Sequence, residues 1–81
     1  MSGIDYHPHA RTRMRRRGIT EAQVVQALAM YDTTYPAQPL PGRRFRSTVY
    51  VATVDGRRLR VYVEQGRFPT YVRTVAWEDD E

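Results

Sequence analysis

The sequence predicts an α+β fold in which two N-terminal helices pack on a three- to four-stranded antiparallel sheet. Three observations lead there. Residues 8–31 contain a helix stop followed at once by a helix start. Residues 43–77 are rich in Val, Tyr, Thr and Arg at alternating positions. Asp55-Gly56 and Gln65-Gly66 divide that stretch into three strands.

Each element has its own signal. Ile4–Tyr6 reads as a short extended piece before the first helix. Pro8 suits the first helical position, where its missing N–H is not needed. The first helix covers about residues 8–17, with Ala10 and Met14 one turn apart and able to face a core. Gly18 suits the left-handed position that ends a helix. Thr20 caps the second helix, Gln23 completes a capping box, and Ile19 and Val24 have the spacing of a hydrophobic staple. That helix covers about residues 21–31, with Val24, Val25, Leu28 and Tyr31 as its apolar stripe. Pro36, Pro39, Pro41 and Gly42 mark residues 32–42 as a loop. The strands are expected at 43–54, 57–65 and 69–77. Asp55-Gly56 is a hairpin turn, and Pro69 suits a strand start or an edge.

Composition narrows the classes of function. The 81 residues suit one domain, residues 1–77, with an acidic tail at 78–81. No apolar run approaches the roughly 18 residues of a membrane span, and the first residues lack the apolar stretch of a signal peptide. The absence of cysteine excludes disulfides and zinc–thiolate sites, which suits a cytoplasmic protein. All 13 basic residues are arginine. Four of the nine acids occupy Glu78-Asp79-Asp80-Glu81, so the body carries 13 arginines against five acids, a net of +8 instead of +4. Such a body favours an anionic partner, most simply nucleic acid.

Side chains alternate between the two faces of a sheet. On that rule Val49, Val51, Leu59, Val61, Val63, Val72, Thr74 and Ala76 share the face that receives the helices. The opposite face then carries Arg44, Arg46, Tyr50, Arg58, Arg60, Tyr62, Tyr71, Arg73 and Trp77. Interleaved arginines and aromatics suit RNA, since guanidinium groups pair with phosphates and rings stack on unpaired bases. The plain alternative is a solvated sheet face. A bulge in the long first strand would flip half its residues.

The first helix holds the chemistry-bearing stripe His9, Arg13 and Arg17. His9 could serve as general acid or base, because imidazole titrates near neutrality, or it could simply hydrogen-bond nearby backbone. Arg13 could stabilise charge on a phosphate, or form a salt bridge to Asp5 or Glu64. His7 is read as a helix-start residue. His7-x-His9 lacks the further ligands that a metal site needs, so no metal and no cofactor is expected. The acidic tail is read as disordered, or as folding back to compete with RNA on the basic surface.

The run His9-Ala10-x-x-Arg13-Met14-x-x-Arg17-Gly18-Ile19-Thr20, followed by Val24 and Ala27-Leu28, resembles the signature of a small bacterial family of unassigned function. That family resembles the RelE/ParE and BrnT toxins, within the barnase-, EndoU-, colicin- and RelE-like ribonuclease group. The likeness is good over residues 7–31 and general over 43–77. It implies a RelE-like sheet with two helices on one face. It also implies a metal-independent endoribonuclease acting as the toxin of a toxin–antitoxin pair, with RNA, in some cases ribosome-bound mRNA, as substrate and an antitoxin protein as partner. In that reading His9 is the acid or base, and Arg13, Arg60 and Arg73 hold the phosphate. Tyr62 or Tyr71 stacks or shares in proton transfer, and Arg17, Arg44, Arg46, Tyr50, Arg58 and Trp77 complete the nucleic-acid surface. Two other readings remain: a nucleic-acid-binding module without chemistry, and a ParE-like toxin that inhibits a protein.

Overall fold

The stop of the first helix and the start of the second form as the sequence dictates. The computed structural model describes residues 3–37 and 46–79. After a short strand β1 (Ile4–Tyr6), helix α1 spans Pro8–Arg17 and helix α2 spans Glu21–Ala29. Gly18 takes the left-handed conformation (φ 67°, ψ 35°) that closes α1, where a β-carbon would be strained. The Thr20–Gln23 capping box is complete in both directions, at 3.1 and 2.9 Å. Strands β2 (Thr33–Pro36), β3 (Ser47–Val54), β4 (Arg57–Glu64) and β5 (Thr70–Trp77) follow. Asp55 and Gly56 both have positive φ, as a tight two-residue hairpin requires.

The sheet is five-stranded and mixed, in the order β1-β5-β4-β3-β2. This corrects the expected three- to four-stranded antiparallel sheet. The two additional strands have only three and four residues, too few for alternation to register. β1 joins the sheet in parallel, Asp5 opposite Tyr71. β2 lies inside the stretch read as a loop, and its Pro36 is tolerated because an edge strand does not need every N–H. Helix α2 also ends at Ala29, short of Tyr31. Pro39, Pro41, Gly42, the expected first-strand residues 43–45 and the tail residues Asp80 and Glu81 lie outside the described residues.

The helices cover one sheet face, α1 over β5 and α2 over β3 and β4. Ala10, Met14, Val24 and Ala27 meet Ala52, Val54, Leu59, Val61, Val72, Val75 and Trp77 in one core. Burying a side chain such as Leu59, which is fully buried, stabilises the fold by roughly 1.5–3 kcal/mol. Val24 and Leu28 of the expected α2 stripe face this core, Leu28 only in part, while Val25 and Tyr31 are exposed. Among the described residues no helix is long and apolar enough to cross a membrane.

Two expected face assignments are overturned. In β3, Tyr50, Ala52 and Val54 lie on the helix side, opposite Val61, Leu59 and Arg57. Val49 and Val51 lie on the reverse face with Tyr62 and Arg60, and are buried there too. Both parities of this strand are apolar, so alternation could not decide its phase. In β5, Val63 pairs with Val72 but Tyr62 pairs with Thr74, which leaves Arg73 as a bulged residue. Beyond the bulge the phase inverts. Val75 and Trp77 therefore enter the core, and Thr74 and Ala76 take the reverse face. Trp77 is 3% exposed and donates its indole N–H to the Arg17 carbonyl at 2.8 Å, so it offers no stacking surface.

Candidate nucleic-acid interface

The basic stripe of α1 and the bulge of β5 meet at one edge of the sheet. β1 covers only the first residues of β5, Thr70–Val72. Past that point the β5 edge is open, and an open edge exposes carbonyl groups. Arg17 closes it by donating from Nη1 to the Val75 carbonyl at 2.9 Å. This arginine, partly buried, holds the helix to the strand and is not a free cation.

The other end of α1 is built from its cap. His7 is the N-cap, and its Nδ1 accepts from the His9 backbone N–H at 3.0 Å. A ring that accepts at Nδ1 cannot be protonated there, so His7 is unsuited to act as an imidazolium proton donor while it caps the helix. His9 stands one step into the helix, exposed to solvent. Arg13, one turn on, donates from Nε to His9 Nε2 at 2.8 Å. This places the neutral ring's proton on Nδ1. It replaces the alternative of a salt bridge from Arg13 to Asp5 or Glu64.

Electrostatics follow from this packing. Desolvation, followed by the charges of Arg13, His7, Arg17 and Arg73, lowers the His9 pKa below the ordinary histidine value. Each of these effects disfavours the imidazolium form. The first turn of α1 carries no acid, so its helix dipole also favours an anion here. Across the edge, Arg73 pairs with Glu64 at 3.3 Å and Arg67 pairs with the same carboxylate at 3.7 Å. The Arg67 guanidinium lies 3.9 Å above the Tyr71 ring, and His7 meets that ring edge-on with centroids 6.2 Å apart. One carboxylate is thus shared by two guanidiniums beside a neutral imidazole that is already hydrogen-bonded to a third.

The structure brings together His9, Arg13, Arg17, Tyr71 and Arg73 from the sequence-based set. It does not bring in Arg60 and Tyr62, which sit one strand inward on the reverse face of β4. Arg60 donates to the Glu78 carbonyl at 3.2 Å. Arg58 is held by Asp32 and Glu78 at the far end of β4. Tyr50 is half-buried on the helix side, edge-on to Tyr31 at 4.9 Å. Arg46 is exposed just before β3, and its carbonyl accepts from Gln65 N–H at 2.7 Å. Arg44 lies outside the described residues. Sequence reasoning missed Arg67 and did not give Glu64 its part as partner of Arg73. The only sequence signal for either was an arginine and an acid flanking the Gln65-Gly66 turn. Among the described residues no three His, Asp or Glu side chains cluster as ligands for a metal.

Fold and site together define a small α+β protein with a basic, histidine-bearing helix set against a bulged sheet edge. The chain belongs to the family described as Domain of unknown function (DUF4258), which matches residues 6–77. No curated protein and no solved structure matches it.

Proposed function

We propose that this chain is a toxin-type, metal-independent endoribonuclease of RelE-like kind, with its reactive centre at His9 on the β1–β5 edge. The observation that carries the reading is the imidazole of His9, exposed at a helix start and accepting at Nε2 from Arg13 at 2.8 Å, where desolvation and the surrounding charges lower its pKa. A neutral imidazole is a competent base, and the surrounding guanidiniums suit a phosphate that gains charge. The likeness of the α1 motif to the RelE/ParE and BrnT toxins supports the same reading.

An arriving RNA phosphate draws the Arg13 guanidinium from His9 onto a non-bridging oxygen, which frees Nε2. The ribose 2′-hydroxyl proton passes to Nε2. The 2′-oxygen bonds to the adjacent phosphorus, the bond from phosphorus to the 5′-oxygen breaks, and the leaving oxygen takes a proton from water. Arg73, opposite, stabilises the pentacoordinate charge. Arg60, Tyr62 and Arg46 serve flanking nucleotides on this reading. An antitoxin protein partner and ribosome-positioned mRNA belong to the same proposal.

The test is cleavage of single-stranded RNA, free and on ribosomes, by the purified chain in EDTA. Products ending in 2′,3′-cyclic phosphate, lost in His9→Ala, are expected. Intact RNA in both settings, with harmless expression of both forms, contradicts the reading and leaves a binding module without chemistry.

A further inference from the structure

The turn between β4 and β5 presents Phe68 with 97% of its surface exposed, the most exposed large apolar side chain among the described residues. A single exposed apolar side chain is ordinary on a protein surface, so a partner for this ring has to be argued from its neighbours. Arg67 precedes it and is stacked on Tyr71. Arg46 reaches the same turn through the hydrogen bond between its carbonyl and Gln65 N–H. Arg73 sits beside Tyr71, with its guanidinium carbon 5.9 Å from the ring centroid. Tyr71 itself is engaged, with Arg67 over one face and His7 against its edge. Phe68, by contrast, has its whole ring open to solvent.

We propose that Phe68 is a stacking platform for an unpaired nucleobase, and that the ligand of this edge is single-stranded nucleic acid. This rests on the nucleic-acid part of the proposed function. An exposed ring one residue from Arg67, in a turn followed by a strand whose Tyr71 carries the Arg67 and Arg73 guanidiniums, matches a base with its flanking phosphates, since stacking is tolerant of sequence and the cations track the backbone. A duplex keeps its bases stacked on one another and cannot offer one to Phe68 without unpairing. The turn thus selects strand state, and the α1 arginines contribute charge to either form.

The test uses a ten-nucleotide 2′-O-methyl oligoadenylate, which lacks the reactive hydroxyl, alone and annealed to its complement. Binding is measured by fluorescence anisotropy at low salt. Phe68→Ala should weaken single-strand binding by about fivefold or more and change duplex binding by less than about twofold. Phe68→Trp should restore it. Because Phe68 is exposed, both variants should melt like the parent chain. Unchanged single-strand affinity in Phe68→Ala overturns the stacking proposal and leaves the reactive centre untouched. Equal losses on both probes overturn it as well. If the parent chain binds neither probe, the nucleic-acid reading falls with it. Cleavage failing while this pattern holds removes the ribonuclease chemistry and retains Phe68.

Discussion

The two ends of the sheet treat arginine in opposite ways. At the β3–β4 hairpin end, Arg58 holds Asp32 through two hydrogen bonds of 2.6 and 3.1 Å and lies 3.5 Å from Glu78. Hydrogen bonding from Arg58 keeps the Asp32 carboxyl below the usual carboxylate range. Arg57 pairs with Asp79 at 3.2 Å and lies 4.1 Å over the Trp77 ring. Both described residues of the acidic tail are thus spent here, which bears on the expectation that the tail folds back on basic surface. At the β1–β5 edge, Arg13 meets a neutral imidazole, Arg17 a backbone carbonyl, and Arg67 and Arg73 share Glu64. Arginine count alone therefore says little about an anion site. What matters is whether carboxylates have already neutralised it.

The comparison breaks most visibly at His9. His9→Ala should lower RNA cleavage by about 10²–10⁴-fold, the usual span for a lost acid–base group, with the melting temperature retained. Arg58→Ala, at the other end, should leave cleavage within about twofold, since that charge is neutralised by carboxylates. A reversal of the two outcomes contradicts the assignment of the ends.

Salt titration sharpens the contrast. Arg73→Ala should flatten the slope of log affinity against log salt by about 0.7, the value for one single-strand phosphate contact. Arg58→Ala should leave that slope alone, whereas Asp32→Asn should release Arg58 and raise affinity at low salt. The acid limb of the cleavage profile gives a third comparison. A base is active when deprotonated, and His9 is shifted downward, so half-maximal rate should fall below about pH 6.5. Arg73→Ala removes one lowering charge and should move that limb upward.

Stability effects are smaller. Arg17→Ala should destabilise by about 1–2 kcal/mol in urea unfolding, because a charged donor to a strand carbonyl is lost from a partly buried site. Thr20→Ala should cost about 1 kcal/mol through the capping box, without altering RNA affinity.

Local chemistry made the helical half legible. Pro8, Gly18, Thr20 and Gln23 each act through backbone within a turn, so their parts could be read without tertiary information. That His9 and Arg13 share a stripe followed from helical spacing, but the hydrogen bond between them did not, since a salt bridge from Arg13 to Asp5 or Glu64 was the expected alternative. The long strands were legible in number, and β4 also in phase, but β3 and the second half of β5 were not. β3 is apolar on both parities, and the bulge at Arg73 depends on the partner strand, which no local pattern reports. The misplacement of Trp77 and Tyr50 follows from those two facts. Arg67 and Phe68 belong to a turn whose position next to β1 arises only when β1 pairs with β5. The basic stripe of α1 was thus visible in sequence, as were Tyr71 and Arg73 across from it, whereas Arg67 and Phe68 were not.

The central claim is that the β1–β5 edge, not the hairpin end, receives nucleic acid. Amide NMR of the chain titrated with the uncleavable single-stranded oligoadenylate tests it directly. Shifts concentrated at residues 7–13 and 66–73, with residues 53–58 and 77–79 unmoved, are the expected result. Shifts centred on Arg57, Arg58 and Asp79, with His9 and Arg73 unmoved, contradict it.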